Sequence, residues 1–229
     1  MRVKLIVGFI LLLVSQAFTQ SPDKAYKKIK LLVTQAVDIE QLKDSLNTFK
    51  AIQFPYNRRL YRKYRHFRVY LYSKYQIDVL SYKNQVIFRS IKFIKDSSVH
   101  FSHIDTLAIQ QFISEWNNFY VSHKTIDDFQ QEITLQTGFT LRTGFDSPTL
   151  FTKKLKEWVI QEKVDTLKAL LQSFYVEQQT FGAVGIRQLR KKGAKLPKKL
   201  RQLARYIRRR NAEILTFENS CVAEVRPYF

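Results

Sequence analysis

The chain has 229 residues, 39 Lys or Arg against 19 Asp or Glu, a formal charge of +20, and a single cysteine, Cys221. With 45% hydrophobic and 14% aromatic residues it carries enough apolar material for one sizeable or two small cores, which excludes a disordered chain. One Cys excludes an intramolecular disulfide, and the charge surplus speaks to partners and solubility rather than to fold.

Residues 1–20 read MRVKLIVGFILLLVSQAFTQ: Arg2 and Lys4, an apolar or Gly run from Leu5 to Val14, then small and polar residues. This is the layout of a cleavable signal peptide, and the run is shorter than the roughly twenty apolar residues a spanning helix needs. Ser15 and Ala17 suit a cut after Ala17, and a cut after Thr19 fits nearly as well. Loss of Arg2 and Lys4 lowers the formal charge from +20 to +18. The expectation is a secreted or periplasmic protein of bacterial type, since the chain has neither a disulfide nor an Asn-x-Ser/Thr sequon.

The mature chain divides by pattern into an α+β region, residues 21–146, and a helical basic region, residues 147–229. From Lys24 to Lys50 two apolar stripes at helical spacing, Ile29, Leu32, Val33 and Ala36, then Ile39, Leu42, Leu46 and Phe49, predict two helices, the second capped by Asp38. Pro55 and Asn57 read as breakers. Beyond them the period becomes two, with Phe67, Val69 and Leu71 alternating with Arg68, Tyr70 and Tyr72, so a meander of three or four antiparallel strands is expected, with a turn at Lys83–Asn84. The stretch Asn57–Tyr75 interleaves Lys and Arg with Tyr. It reads either as a surface that stacks on single-stranded nucleic acid or as a strand whose outer face places each Arg over a ring.

Asp105 caps a helix with Ile109, Phe112, Ile113, Trp116 and Tyr120 on one face, which is expected to pack on the sheet. A weaker helix covers Ile126–Leu135, and Thr137–Phe145 reads as a short strand. Ser147–Pro148 opens the helical region. Leu155, Trp158 and Val159 form one stripe; Asp165 is expected to cap the next helix; a third carries Phe181, Ile186 and Leu189, ends at Gly193, and is followed by a last helix from Pro197. The whole is an α+β fold: N-terminal helices, a small antiparallel sheet with a packed helix, and a helical C-terminal region ending in a basic αα-hairpin.

No catalytic motif, metal set or cofactor fingerprint emerges. His100 and His103, three apart on an extended segment, point to opposite faces and could share a metal only if a turn intervened, and two His are short of a zinc set. Ser21–Lys24, Ser45–Asn47 and Arg142–Gly144 imitate, in order, three fragments of penicillin-recognising serine enzymes, but Pro22 and Asp23 stand between the serine and lysine. Gly182–Gly185 lies within a helical pattern, not at a phosphate-loop turn. Asp127, Asp128 and Glu132 are expected to solvate their helix, and Cys221 has no neighbouring His in sequence.

The charge is concentrated instead. Residues 187–210 hold twelve Lys or Arg and no acid. If Leu189, Leu196, Leu200, Leu203 and Ile207 form the hairpin's seam, Lys191, Lys192, Lys198, Lys199, Arg205, Arg208 and Arg209 project outward as an anion-binding surface. The expected function is therefore a non-enzymatic accessory or binding protein that contacts an anionic envelope component or an envelope protein. An envelope hydrolase is the competing class, and nucleic acid is a partner only if the leader is not one.

Overall fold

The structure, a computed structural model, describes residues 22–49, 52–135, 150–218 and 222–229. In chain order the elements are α1 (Pro22–Gln35), α2 (Ile39–Asn47), β1 (Ile52–Tyr61), β2 (Tyr64–Leu71), β3 (Tyr75–Tyr82), β4 (Gln85–Phe93), β5 (Val99–Ile104), α3 (Thr106–Tyr120), α4 (Ile126–Ile133), α5 (Leu150–Ile160), α6 (Val164–Leu171), α7 (Val176–Lys191), α8 (Lys198–Arg210), β6 (Glu213–Glu218) and β7 (Val222–Pro227). The α+β architecture expected from the sequence is present. Its main sheet is a five-stranded antiparallel meander, β1-β2-β3-β4-β5.

The sheet has one more strand than expected because β1 runs straight through Pro55 and Asn57. Between Gln53 and Tyr56 the register slips against β2, and β1 is an edge strand. An edge and a bulge are the two places where a strand tolerates a residue without an N–H.

Alternation gives the sheet two different faces. Odd-numbered Phe67, Val69, Leu71, Tyr75, Ile77, Val79 and Ile91 pack against Ile29, Val33, Ile39, Leu42 and Leu46 of α1 and α2 in a core of their own. Asp38 caps α2 as expected, accepting from Gln41 N at 2.8 Å. The link between the two helices pairs with the β3–β4 turn, Val86 N donating to Val37 O and Ile39 N to Asn84 O. Arg89 closes the C-terminal end of α1 by donating to Val33 O, Thr34 O and Ala36 O. A cation at those carbonyls both satisfies them and complements the helix dipole.

The second face is apolar at one end only. Leu60, Tyr64, Leu80 and Phe88 join the larger core with Phe112 and Trp116 of α3, Phe129 of α4, and Leu155, Leu171, Phe181 and Leu203 of the C-terminal helices. Asp105 caps α3, and buried Trp116 donates from Nε1 to Gln172 O at 3.0 Å. Asp165 does not cap α6: Lys163 occupies the cap position without a side-chain bond, and Asp165 lies in the first turn. The helical region holds to Arg210, after which the chain adds a two-stranded antiparallel hairpin, β6–β7. The strand expected over Thr137–Phe145 and the cap at Ser147–Pro148 lie outside the described residues, as do residues 1–20.

Gly182 and Gly185 set how closely α7 meets α6. A Cβ on Gly182 would stand 2.8 Å from Leu171 N and 3.0 Å from Leu167 O, so only glycine lets the two backbones touch there.

Candidate anion-binding site

The basic hairpin is built as its pattern implies. Gly193 ends α7 in the left-handed conformation, φ 89°, and Pro197 precedes α8. Leu200, Leu203, Ala204 and Ile207 of α8 are buried in the large core together with Phe181, Ile186 and Leu189 of α7. Charge works against this helix. Its thirteen residues include no acid in the first turn, where Lys198 and Lys199 stand instead, and the positive end of a helix dipole disfavours cations there. Like-charged neighbours such as Arg201 and Arg205 add a few tenths of a kcal/mol of repulsion each, about 0.2–0.5. In the last turn, by contrast, Arg208, Arg209 and Arg210 suit the dipole, and the apolar seam does most to hold α8 in place.

Of the seven side chains expected to project, Lys191, Lys192, Lys198, Lys199, Arg205 and Arg209 are exposed and Arg208 is half-buried. Among the described residues none of the seven forms an ion pair. Lys199 and Arg208 lie over aromatic rings instead, each 5.7 Å from the centre of Phe119 and Phe229 respectively. A groove between α7 and α8 gathers a different set: Arg187, Arg190, Arg201, Arg205 and Arg208 form its walls over a floor of Ala183, Ile186 and Ala204. Only Arg205 and Arg208 belong to both sets. Arg187 and Arg190 at i, i+3, and Arg201, Arg205 and Arg208 at i, i+4, i+7, carry the helical spacing that marks one face. Arg210 turns the other way, donating to Leu60 O at 2.6 Å and Gln179 Oε1 at 2.7 Å, where burial lowers its pKa.

A second concentration of charge, missed in the sequence, lies on the sheet's polar half-face. The residues of Asn57–Tyr75 expected on an outer face include Arg58, His66 and Arg68, and all three are buried. Each Arg does lie near a ring, Arg58 at 4.2 Å from the centre of Tyr56 and Arg68 at 5.5 Å from that of Tyr175, but inside the protein. Arg58 Nη1 donates to Glu177 Oε1 at 2.7 Å, and Glu177 also accepts from Leu215 N. Arg68 donates from Nε to Asp78 Oδ1 at 2.5 Å and from its two terminal nitrogens to Leu135 O and Ile133 O. Gln76 and Lys92 both donate to Thr134 O at 3.1 Å. Three donors from the sheet thus close the carbonyl end of α4, the negative end of its dipole.

Arg58 and Arg68 face Glu177 and Asp78, so these four formal charges cancel, and Lys92 adds one cation at the carbonyl end of α4. Desolvation pulls His66 down to about 4, against the opposing pull of its bond to Asp78. The neutral ring then accepts at Nδ1 from Arg58, 3.4 Å away, and donates from Nε2 to Asp78 at 2.8 Å. Both nitrogens are engaged, so His66 has no lone pair for a substrate proton. The Asp78 carboxyl is held below its usual range by Arg68 and His66 in spite of burial. Burial pushes the Tyr56 phenol far up and pulls the Lys92 amine down.

Several of the remaining candidates take structural roles. His100 stacks on Phe93 with ring centres 3.7 Å apart, while exposed His103 sits opposite Arg89 on β5. Asp128 makes a capping box with Thr125 rather than only solvating α4. Glu132 accepts from Lys124, from Ser173 Oγ and from Phe174 N, fastening α4 to the turn after α6. Among the described residues no group of three His, Cys, Asp or Glu could hold a metal, and no helix is long and apolar enough to cross a membrane. Ser45 and Asn47 lie in α2; Ser21, Arg142, Gly144 and Cys221 lie outside the described residues. A cleft of about 320 Å³ beside β4 is lined by Ser90, Lys92, Gln130 and Thr134 among others, with no acid or histidine in its wall. Compared with protein families, with curated proteins and with solved structures, the chain has no match.

Proposed function

We propose that the chain is an exported, non-enzymatic binding protein that contacts an anionic component of the cell envelope, or an envelope protein presenting an anionic face, through its basic helical hairpin. The observation that carries this reading is α8 itself, whose first turn sets Lys198 and Lys199 against the helix dipole and whose cations find no carboxylate partner among the described residues. Positive charge of this density without carboxylate partners is accounted for by an anionic partner. Export, to the periplasm or beyond, rests on the leader-like residues 1–20. A hydrolase is less well supported, because the buried acids and His66 are consumed by each other and by helix ends.

Two measurements test the proposal. Intact mass of the exported protein is expected to place its first residue between Phe18 and Ser21; a mass retaining residues 1–17 would end the reading of a cleaved leader. The mature protein is expected to co-sediment with anionic but not neutral vesicles at low salt and to be released as salt shortens the screening length. Replacing Lys191, Lys192, Lys198, Lys199, Arg205, Arg208 and Arg209 by Gln should abolish attachment without loss of helix content. Undiminished attachment of that variant would move the partner surface elsewhere.

A further inference from the structure

Resting on the reading of the hairpin as an anion-binding surface, we infer that its ligand carries a phosphomonoester group, seated in the arginine groove between α7 and α8 rather than on the lysines around the helix connection. The division of labour between the two kinds of cation is the first observation. All five charged residues of the groove are arginine, whereas Lys191, Lys192, Lys198 and Lys199 flank the turn and do not line it. A guanidinium offers a planar fork of N–H donors that matches the oxygens of a phosphate two at a time; an ammonium is a hydrated point charge without that geometry.

The groove also lacks any acceptor of its own. Its floor, Ala183, Ile186 and Ala204, is apolar, and no Asp, Glu, Asn, Gln, Ser or Thr shares its wall. Arg208 Nε is buried without a hydrogen-bond partner, a state it shares with the Nε of Arg58, Arg89 and Arg210. Five arginines bordering a recess without a side-chain acceptor leave room for one brought from outside. At about 1.5 Å rise per residue, Arg201, Arg205 and Arg208 span roughly 10 Å of α8, close enough for two of their long side chains to meet at one phosphate group. A phosphomonoester presents three terminal oxygens and close to two charges at neutral pH. A carboxylate presents two oxygens and one charge, and a phosphodiester has only two free oxygens. Five positive charges and their many donors favour the ligand with the most oxygens and the most charge, the first.

A lipid headgroup and a soluble metabolite can both carry this group, and one experiment separates them. Mature protein is titrated at low salt with phosphatidylcholine vesicles containing phosphatidic acid, with vesicles containing phosphatidylserine matched for surface charge, and with soluble glycerol 3-phosphate. Two variants accompany it: Arg187, Arg190, Arg201, Arg205 and Arg208 all changed to Lys, which preserves charge, and Lys191, Lys192, Lys198 and Lys199 all changed to Gln. Circular dichroism verifies that each keeps its helices.

The parent is expected to prefer phosphatidic acid over phosphatidylserine by about tenfold or more, the factor that one or two forked charge-assisted hydrogen bonds supply. The Arg→Lys variant should lose that preference yet retain salt-sensitive attachment, and the Lys→Gln variant should keep the preference with weaker attachment overall. Binding of glycerol 3-phosphate without vesicle binding would keep the inference and assign the phosphate to a soluble ligand. Equal binding of the two anionic vesicles, or a preference that survives Arg→Lys, overturns the phosphomonoester inference while leaving the basic-surface reading intact. No binding of any of the three probes by the parent overturns the phosphomonoester inference and the reading of an anionic lipid surface as partner, leaving only an envelope protein.

Discussion

Arg58 on the first strand and Glu177 in the first turn of α7 meet at 2.7 Å with both side chains sealed from water, although 119 residues separate them in the chain. This pair ties the sheet to the C-terminal helices through a contact that neither half can satisfy alone. Removing one partner leaves an uncompensated buried charge, a loss of about 3–5 kcal/mol. Arg58→Met is therefore expected to lower unfolding free energy by that amount. Glu177→Gln keeps an acceptor for Leu215 N, so the double variant should recover much of the loss, with a coupling of about 2–3 kcal/mol in a double-mutant cycle. Strict additivity in denaturant titrations would mean the two side chains do not interact.

Stability should fall on mild acidification because of His66. Its folded-state pKa is lowered to about 4 by burial, whereas in the unfolded chain an imidazole titrates near its ordinary value of about 6.5. The unfolded state therefore binds the extra proton first. The contribution is whole above about pH 6.5 and is lost as pH drops toward about 4, amounting to about 3 kcal/mol. The depressed Asp78 carboxyl acts in a separate window, below the ordinary range for aspartate. Unfolding free energies measured from pH 7 to 4.5 should fall less steeply in His66→Gln, by one proton's slope. An unchanged slope would show that His66 is not the group responsible.

The α6–α7 crossing makes the two glycines of α7 unequal. At Gly182 a new Cβ meets backbone atoms of Leu171 and Leu167, which cannot yield without separating the helices. At Gly185 it meets the ends of the Leu167 and Leu155 side chains, which can rotate away. Overpacking typically costs about 1–3 kcal/mol, against about 1 kcal/mol of helix propensity gained from Gly to Ala. Gly182→Ala is expected to destabilise by about 1–2 kcal/mol, and Gly185→Ala by less. The reverse ranking in chemical denaturation would contradict this packing account.

Val121 ends α3 in the left-handed conformation, φ 52° and ψ 58°, with its side chain largely exposed. A β-branched residue there is strained, and glycine is not. Val121→Gly keeps the cap bond from its N–H to Asn117 O and is expected to raise stability by about 1 kcal/mol, read as a higher melting temperature.

The sequence makes some of this visible for identifiable reasons. α1, α2, α3, α7 and α8 announce themselves through apolar stripes, and Asp38 and Asp105 mark their starts. β1 was obscured by Pro55, since a proline reads as a breaker until its edge position and bulge are known. The charge network escaped for a deeper reason. Period two places His66, Arg68, Gln76 and Asp78 according to face, but nothing local says that α4's carbonyl end and Glu177 will cover them. The basic hairpin was legible as charge. Which arginines converge depended on how α7 and α8 pack, and that is tertiary information.

The meander carries a consequence for the order of assembly. Each strand pairs only with its neighbour in the chain, so the sheet closes through short loops at small entropic expense. The contacts that seal its polar half-face span far more chain, from Arg68 to Ile133 and from Arg58 to Glu177. Until α4 and α7 arrive, that half of the sheet remains wetted by hydrated guanidinium and carboxylate groups rather than presenting bare hydrocarbon. A partly folded chain is thereby kept from adhering to its neighbours while it waits for its own C-terminal helices. Desolvation becomes a late step, so Arg58→Met is expected to quicken unfolding while leaving the folding rate nearly as it was.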